Sequence, residues 1–486
     1  LFPYTTLFRS LASVVPSEVE GPCLQCTRSL RSATLRAAPV ETTEMSEDDS
    51  LPGRLGRYAK VGASVGGLAA KLAGQRYLGL SLDRDKHATD LKAALGGLKG
   101  PLMKAAQLLA TIPDALPPEY ARELAQLQAN APAMGWAFVR RRMATELGPD
   151  WQAKFRKFDK EASFAASLGQ VHRAVLPDGG DVACKLQYPD MASALEADLN
   201  QLKLVFAVGQ RFDPAIRTDE IHAEITNRLR EELDYRREAR HVALYRHMLR
   251  EEPEIHVPDV VADYSTDRLL TMSWLEGGKL LDWKTRDQNE KDALAIRMFK
   301  AWYVPFYRYG VIHGDPHLGN YSVRESGDVN LMDFGCVRIF PPRFVRGSIE
   351  LYRALMSDDL ERAVAAYEDW GFSGLSRDVI AVLNRWAAFL YGPLMDDRPR
   401  RLTEGMAEGH GRDMAHNVFA DLRKLGGVRP PREFVFMDRA AIGLGSVFIH
   451  LRASINWHRL FEELIDDFDV EVLVKRQGQA LNIAGL

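Results

Sequence analysis

Residues 312–320 read Ile-His-Gly-Asp-Pro-His-Leu-Gly-Asn, and residues 331–335 follow as Leu-Met-Asp-Phe-Gly. Val311-Ile312, Tyr321 to Val323 and Val329 to Met332 have the apolar, β-branched texture of short strands, so both stretches sit on a loop at strand ends. Taken singly, each residue has an ordinary explanation: His313 and His317 as packing histidines, Asp315 as a turn residue before proline. Taken together, Asp315, Asn320 and Asp333 put hard oxygen donors at the end of a strand, the kind of group that holds Mg²⁺. A metal site built from His313, Asp315 and His317 is disfavoured, because no other histidine cluster completes the shell.

Aspartate and asparagine five positions apart, then Asp-Phe-Gly, is the spacing of the protein-kinase catalytic loop and its metal-binding sequel. Phosphoryl transfer needs one carboxylate to orient the nucleophile and oxygen ligands to hold Mg²⁺ on the phosphates, since catalysis there is mostly positioning and charge neutralisation. Asp315 is assigned the first role, Asn320 and Asp333 the second. Upstream, Val182-Ala183-Cys184-Lys185 matches the strand of the phosphate-binding lysine, and Glu238 is the expected ion-pair partner of Lys185 from a following helix. Leu270 to Gly278 falls where two lobes join, with backbone groups of Ser273 and Leu275 expected to hydrogen-bond adenine. The fold class is α+β, a two-lobed kinase-like fold.

Three usual features are absent. No GxGxxG covers the phosphates; the corresponding place reads Phe164-Ala165-Ala166-Ser167-Leu168-Gly169-Gln170-Val171-His172. Gly314 stands where HRD has arginine, and no APE-like segment follows Asp-Phe-Gly, so an extended peptide has no docking platform.

These departures resemble the UbiB (AarF) family of atypical kinases. The family pattern is an alanine-rich loop running into SxGQVH, a KxGQ helix, an ExD motif, and HxDPHxGN with DFG. This chain has Ser167 to His172, Lys104-Ala105-Ala106-Gln107, Glu232-Leu233-Asp234 and HGDPHLGN, and the resemblance extends from about residue 54 to beyond 460. Ala106, Phe164 and Leu318 depart from it. The resemblance implies an ATP/ADP-binding, Mg²⁺-dependent ATPase with protein-kinase activity suppressed. It also implies a peripheral place at a membrane, in support of ubiquinone or other prenyl-lipid biosynthesis. Nucleotide, membrane lipids or prenyl-quinone intermediates, and quinone-biosynthesis enzymes are the implied partners. It assigns Ala165, Ala166 and Ser167 to the nucleotide, and Lys104, Gln107, Glu232 and Asp234 to a regulatory extension packed over the cleft. On a regular helix, residues two apart such as Glu232 and Asp234 point about 200° from each other and do different jobs, with Lys104 the expected partner of one of them.

Two other readings compete. A small-molecule kinase of the aminoglycoside or choline type shares HGDxHxxN, but KAAQ, ELDY and SLGQVH argue against it. A non-catalytic ATP-binding scaffold is opposed by the presence of Lys185, Asp315, Asn320 and Asp333 together.

The remaining chain sets limits. Its 486 residues suffice for two lobes with flanking helices, and 63 Lys and Arg against 66 Asp and Glu, net −3, do not recommend nucleic acid. No apolar run reaches the 18 or more residues of a membrane span, so the chain is expected to be soluble or peripherally bound; the cysteine count fits a reducing cytosol, and with the resemblance the expected place is the cytoplasm or the inner membrane surface. Leu1 to Ser10, LFPYTTLFRS, is the translation of a sequencing-adapter oligonucleotide, so residues 1–44 are read as a non-native, disordered leader and Met45 as the natural start. Cys23 and Cys26 fall in that leader; Cys184 and Cys336 are expected to be small packed residues. The expected organisation is a basic amphipathic arm over 45–90, with Gly62 and Gly66 in GxxxG spacing, and a helical extension over 91–160. The N-lobe spans 161–275 and the C-lobe with its C-terminal helices 276–486. A hairpin is expected at Val171 to Val175 and Asp181 to Gln187, a long helical region from Met191 to about Glu251, a strand at Val257 to Val261, and helices beyond Pro341.

Overall fold

The computed structural model describes residues 134–486 apart from 166–167, 189–190, 192–194, 197–198, 200–217, 316–317, 405–409 and 429–430. Lys104, Gln107, Ala166, Ser167 and His317, the arm and most of the extension lie outside the described residues.

The first lobe grows from a hairpin. Strands β3 (Gly169–Val175) and β4 (Asp181–Gln187) pair antiparallel with Val175 opposite Asp181. The turn is closed by Leu176 N–H to Gly180 O at 2.8 Å and by Gly180 N–H to the Asp178 carboxylate at 2.9 Å. Two-residue strands β1 (Lys157–Phe158) and β2 (Phe164–Ala165) flank β3, and β6 (Leu269–Ser273) flanks β4. Side chains alternate across the sheet. Val182, Cys184 and Leu186 face a core made with Val139 and Met143 of α1 (Trp136–Leu147) and with Trp151 and Phe155. Ala183 and Lys185 therefore face the other way, toward the cleft.

Helices α2 (Thr218–Glu232) and α3 (Tyr235–Met248) follow. The expected helical region divides at Leu233-Asp234, where Asp234 leaves helical geometry (φ −91°, ψ 84°) and its side chain accepts the Arg237 amide at 2.9 Å. An N-cap aspartate satisfies an otherwise orphaned amide, which explains the break. Helix α3 buries Tyr235, Glu238, His241, Val242, Tyr245 and Met248, a helical stripe that carries two polar groups into the cleft.

The expected strand at Val257 to Val261 reduces to a single bridge, Val260 to Met272, because Pro258 has no amide to extend a ladder. Strand β5 is instead Ile255–His256. It joins β7 (Gly278–Lys279), β9 (Tyr321–Val323) and β10 (Val329–Leu331) in the order β5-β10-β9-β7. Helix α4 (Gln288–Tyr309) starts with a capping box of Asp287 and Glu290. Strands β8 (Val311–His313) and β11 (Val337–Ile339) form a two-stranded ribbon with Val337 opposite His313.

Helices α5 (Pro342–Ser357), α6 (Leu360–Asp369), α7 (Arg377–Tyr391), α8 (His410–Lys424), α9 (Arg432–Leu451), α10 (Trp457–Ile465) and α11 (Val470–Ala484) complete the second lobe. One cluster of buried side chains runs from α3 through β8, β10 and α4 into these helices. Helix α11 returns to pack on α3, α4 and α5. Its Gln477 amide donates to Tyr309 O at 2.8 Å and Phe340 O at 2.9 Å, while Arg240 of α3 donates to Gly485 O at 3.3 Å. No helix among the described residues is long and apolar enough to cross a membrane.

Candidate active site

Lys185 reaches from β4 across the cleft. Its Nζ lies 2.6 Å from Glu238 Oε1 and 3.6 Å from Asp333 Oδ2, with the Tyr235 ring at 5.4 Å. The Glu238 side chain is 2% exposed, Lys185 21% and Asp333 43%, so the cation bridges a buried carboxylate and an open one. A charge as buried as Glu238 is tolerable only when paired. Burial pulls the Lys185 ammonium down, but Asp333 and Glu238 outweigh it and hold it above its usual range. Burial pushes the Glu238 carboxyl up, and Lys185 pulls it back only in part.

Gly169 lets β3 reach this arrangement. A Cβ there would run into the backbone oxygen of Leu186 and come within 2.9 Å of the Tyr235 hydroxyl. Backbone cannot yield as a side-chain tip does, so Gly169→Ala is expected to cost about 1–3 kcal/mol, read as a lowered midpoint in denaturant unfolding.

The loop after β8 gathers the other groups. Asn320 Nδ2 donates to Asp315 O at 3.2 Å and to Asp315 Oδ2 at 3.1 Å. His313 Nε2 donates to Asp333 O, and its Nδ1 accepts the Asp315 amide at 3.3 Å, so both ring nitrogens serve the backbone and neither is open to a metal. Asp333 Oδ1 accepts the Gly335 amide at 2.9 Å. Phe334 is buried against Tyr245, ring centroids 5.2 Å apart, and its carbonyl accepts a hydrogen bond from His241 Nδ1 at 3.0 Å. Burial lowers the His241 pKa to about 4, which keeps that imidazole neutral. Gly314 has no room for the arginine of HRD: its amide donates to Cys336 O at 2.6 Å, and a Cβ would lie 2.8 Å from Cys336 Sγ. Burial pushes both the Cys184 thiol, to about 12, and the Cys336 thiol up.

Among the described residues no three His, Cys, Asp or Glu side chains converge into a self-sufficient metal cage. The exposed carboxylate of Asp333 and the Asn320 amide nevertheless suit Mg²⁺, which takes one or two protein oxygens and completes its shell with phosphate and water.

At the lobe junction Ser273 has its amide engaged, which leaves its carbonyl as the backbone group that can face a base. Its amide donates to Asp259 O at 2.8 Å and its hydroxyl accepts the Asp259 amide at 2.9 Å, because the segment after Pro258 lies along the outer edge of β6. That amide is therefore committed, whereas Leu275 makes no backbone hydrogen bond among the described residues. The next carbonyl, Glu276 O, accepts from Asn330 Nδ2 at 2.9 Å, and Asn330 also holds Ser322 Oγ at 2.9 Å and Arg324 Nε at 2.8 Å. Sequence reading missed this latch, although an asparagine between Val329 and Leu331 in an apolar strand was its signal.

Glu232 and Asp234 do not share one helix. Glu232 ends α2 half-buried, while Asp234 is the exposed cap of α3. Their neighbour Glu231 pairs with Arg338 at 2.7 Å and Arg237 at 3.2 Å. Ala165 lies in β2 opposite Gln170. Within the GQVH stretch, His172 donates from Nδ1 to Asp159 O at 2.8 Å and accepts from the Gln170 amide at 2.8 Å. Gln170 in turn accepts the Met134 amide at 2.6 Å, so this motif ties β3 to the start of α1.

A family model described as the ABC1 atypical kinase-like domain matches residues 126–367. The chain is 26% identical over 466 residues to the atypical kinase coq-8, mitochondrial, of Caenorhabditis elegans, covering 89% of this chain and 60% of that protein. It is 30% identical over 321 residues to the atypical kinase COQ8, mitochondrial, of Saccharomyces cerevisiae, covering 64% and 63%. It thus spans less than two thirds of either relative. The structure of Rv3197 with erythromycin, from Mycobacterium tuberculosis, superposes with a TM-score of 0.55 at 25% identity, covering 78% of this chain and 96% of that one.

Proposed function

Because the chain belongs to the UbiB/AarF family of atypical kinase-like proteins, we propose that its cleft binds Mg-ATP and turns it over as an ATPase supporting ubiquinone or other prenyl-lipid biosynthesis. The observation that carries this reading is the convergence of Lys185, Glu238 and Asp333 at one side of the cleft, 2.6 and 3.6 Å apart, with Asp315 and Asn320 joined on the adjoining loop. Lys185, held by Glu238, contacts the nucleotide phosphates; Asp333 and Asn320 hold Mg²⁺; Asp315 orients the attacking oxygen. Mg²⁺ supplies neutralisation of the phosphate charge. Ala165, with Ala166 and Ser167, is assigned to the phosphates, and the Ser273 carbonyl and Leu275 backbone to the base.

Conventional peptide phosphorylation is disfavoured by the absence of an APE-like platform and by Gly314 in place of the HRD arginine. The test is phosphate release from ATP, measured with and without anionic liposomes and phenolic quinone precursors. Mg²⁺-dependent release that rises with liposomes or phenol supports the reading; no release under any of these conditions overturns it. The arm over 45–90 mixes basic and apolar residues, and its removal is expected to weaken co-sedimentation with anionic liposomes. Undiminished co-sedimentation would place the membrane contact elsewhere.

A further inference from the structure

His241 sits one helical turn after Glu238 on the same buried stripe of α3 and is 2% exposed. Its Nδ1 lies 3.0 Å from Phe334 O. A carbonyl only accepts, so Nδ1 carries the proton. His313 makes the corresponding contact with the preceding carbonyl, Asp333 O, from β8. Two successive peptide carbonyls are thus held from two elements, α3 and β8, and the side chain between them is Phe334, itself buried.

We propose that His241 is a positioning residue for the metal-binding aspartate: through Phe334 O it makes the orientation of the 333–335 segment depend on the placement of α3. The same helix turn presents Glu238 to Lys185 and His241 to Phe334 O. A shift of α3 therefore opens the Lys185 pair and releases the Phe334–Gly335 peptide, whose N–H binds Asp333 Oδ1, together. The lever is short, since Asp333 Oδ1 is bonded to Gly335 N, one residue beyond the carbonyl that His241 holds. This inference rests on the assignment of Asp333 to Mg²⁺.

The test compares His241→Leu, which removes the donor, with His241→Asn, which keeps an amide N–H at a similar reach. The Mg²⁺ midpoint for thermal stabilisation by ATP is measured in the full chain, with Mg²⁺-free adenosine binding alongside. Loss of one buried hydrogen bond corresponds to roughly tenfold, so the leucine variant is expected to raise the Mg²⁺ midpoint about tenfold with adenosine affinity unchanged. Asparagine is expected to restore the midpoint to within about threefold of the parent. A leucine variant with the parent's midpoint overturns the inference, as does an asparagine variant no better than leucine, which would mark a purely structural residue. Should the leucine variant not fold, ¹⁵N resonances of the imidazole in the unmodified protein decide instead: an Nδ1-protonated His241 agrees, and an Nε2-protonated one contradicts. If the parent itself lacks Mg²⁺-dependent stabilisation, the assignment of Asp333 fails first and this inference falls with it.

Discussion

Asp333→Asn is expected to abolish the Mg²⁺-dependent part of nucleotide stabilisation. Asp333 is the open carboxylate of the cleft, 43% exposed, with Oδ2 3.6 Å from the Lys185 ammonium and Oδ1 engaged by Gly335 N. A neutral amide keeps the shape and the Gly335 contact but does not replace an anionic ligand of a hard cation. At a nucleotide concentration one hundred times Kd, ligand linkage contributes about 2.7 kcal/mol, and that increment is expected to vanish from thermal melts with Mg-ATP. The apo protein should melt near the parent or slightly below it, because the Lys185 ammonium loses one of its two carboxylate neighbours. A variant stabilised by Mg-ATP as much as the parent would show that the metal is held elsewhere.

Asp315→Asn is expected to separate binding from turnover. Asp315 touches Asn320 through both its backbone oxygen and its carboxylate, and its amide is bonded to His313. An asparagine retains an oxygen for the Asn320 contact, so the loop should keep its path and nucleotide affinity should stay within a few-fold of the parent. In the role proposed for Asp315 the substitution removes the anion that orients the nucleophile and accepts its proton, an effect on the order of 10²–10⁴ in rate. Steady-state phosphate release together with direct nucleotide binding checks both halves. Equal turnover in variant and parent would remove Asp315 from the mechanism.

The parts legible in the sequence are those where local chemistry dictates residue type. The hairpin of β3 and β4 is announced by Pro177-Asp178-Gly179-Gly180 between two apolar alternating runs, and the observed strands are Gly169–Val175 and Asp181–Gln187. Lys185, Glu238, Asp315, Asn320 and Asp333 were singled out by order and spacing, and the fold brings Lys185 to both Glu238 and Asp333. Contacts set by tertiary placement were not legible. Helical periodicity on both sides of Leu233 hid the break that Asp234 caps, although an aspartate followed by Tyr-Arg-Arg-Glu is itself a start signal. Committing the Ser273 amide to Asp259 required knowing that the chain after Pro258 folds along β6. His241 reads as one more polar residue in a charged helix, and only its burial against Phe334 O distinguishes it. Strands β1, β2 and β7, two residues each, fall below the length at which alternation has meaning.

The most direct test of a Mg-ATP site in this cleft is a calorimetric titration of the full chain with ATP, first in Mg²⁺ and then in EDTA. One saturable site that requires Mg²⁺ and is lost in Asp333→Asn is the predicted result. Binding of equal strength in EDTA, or no binding in Mg²⁺, would contradict the account.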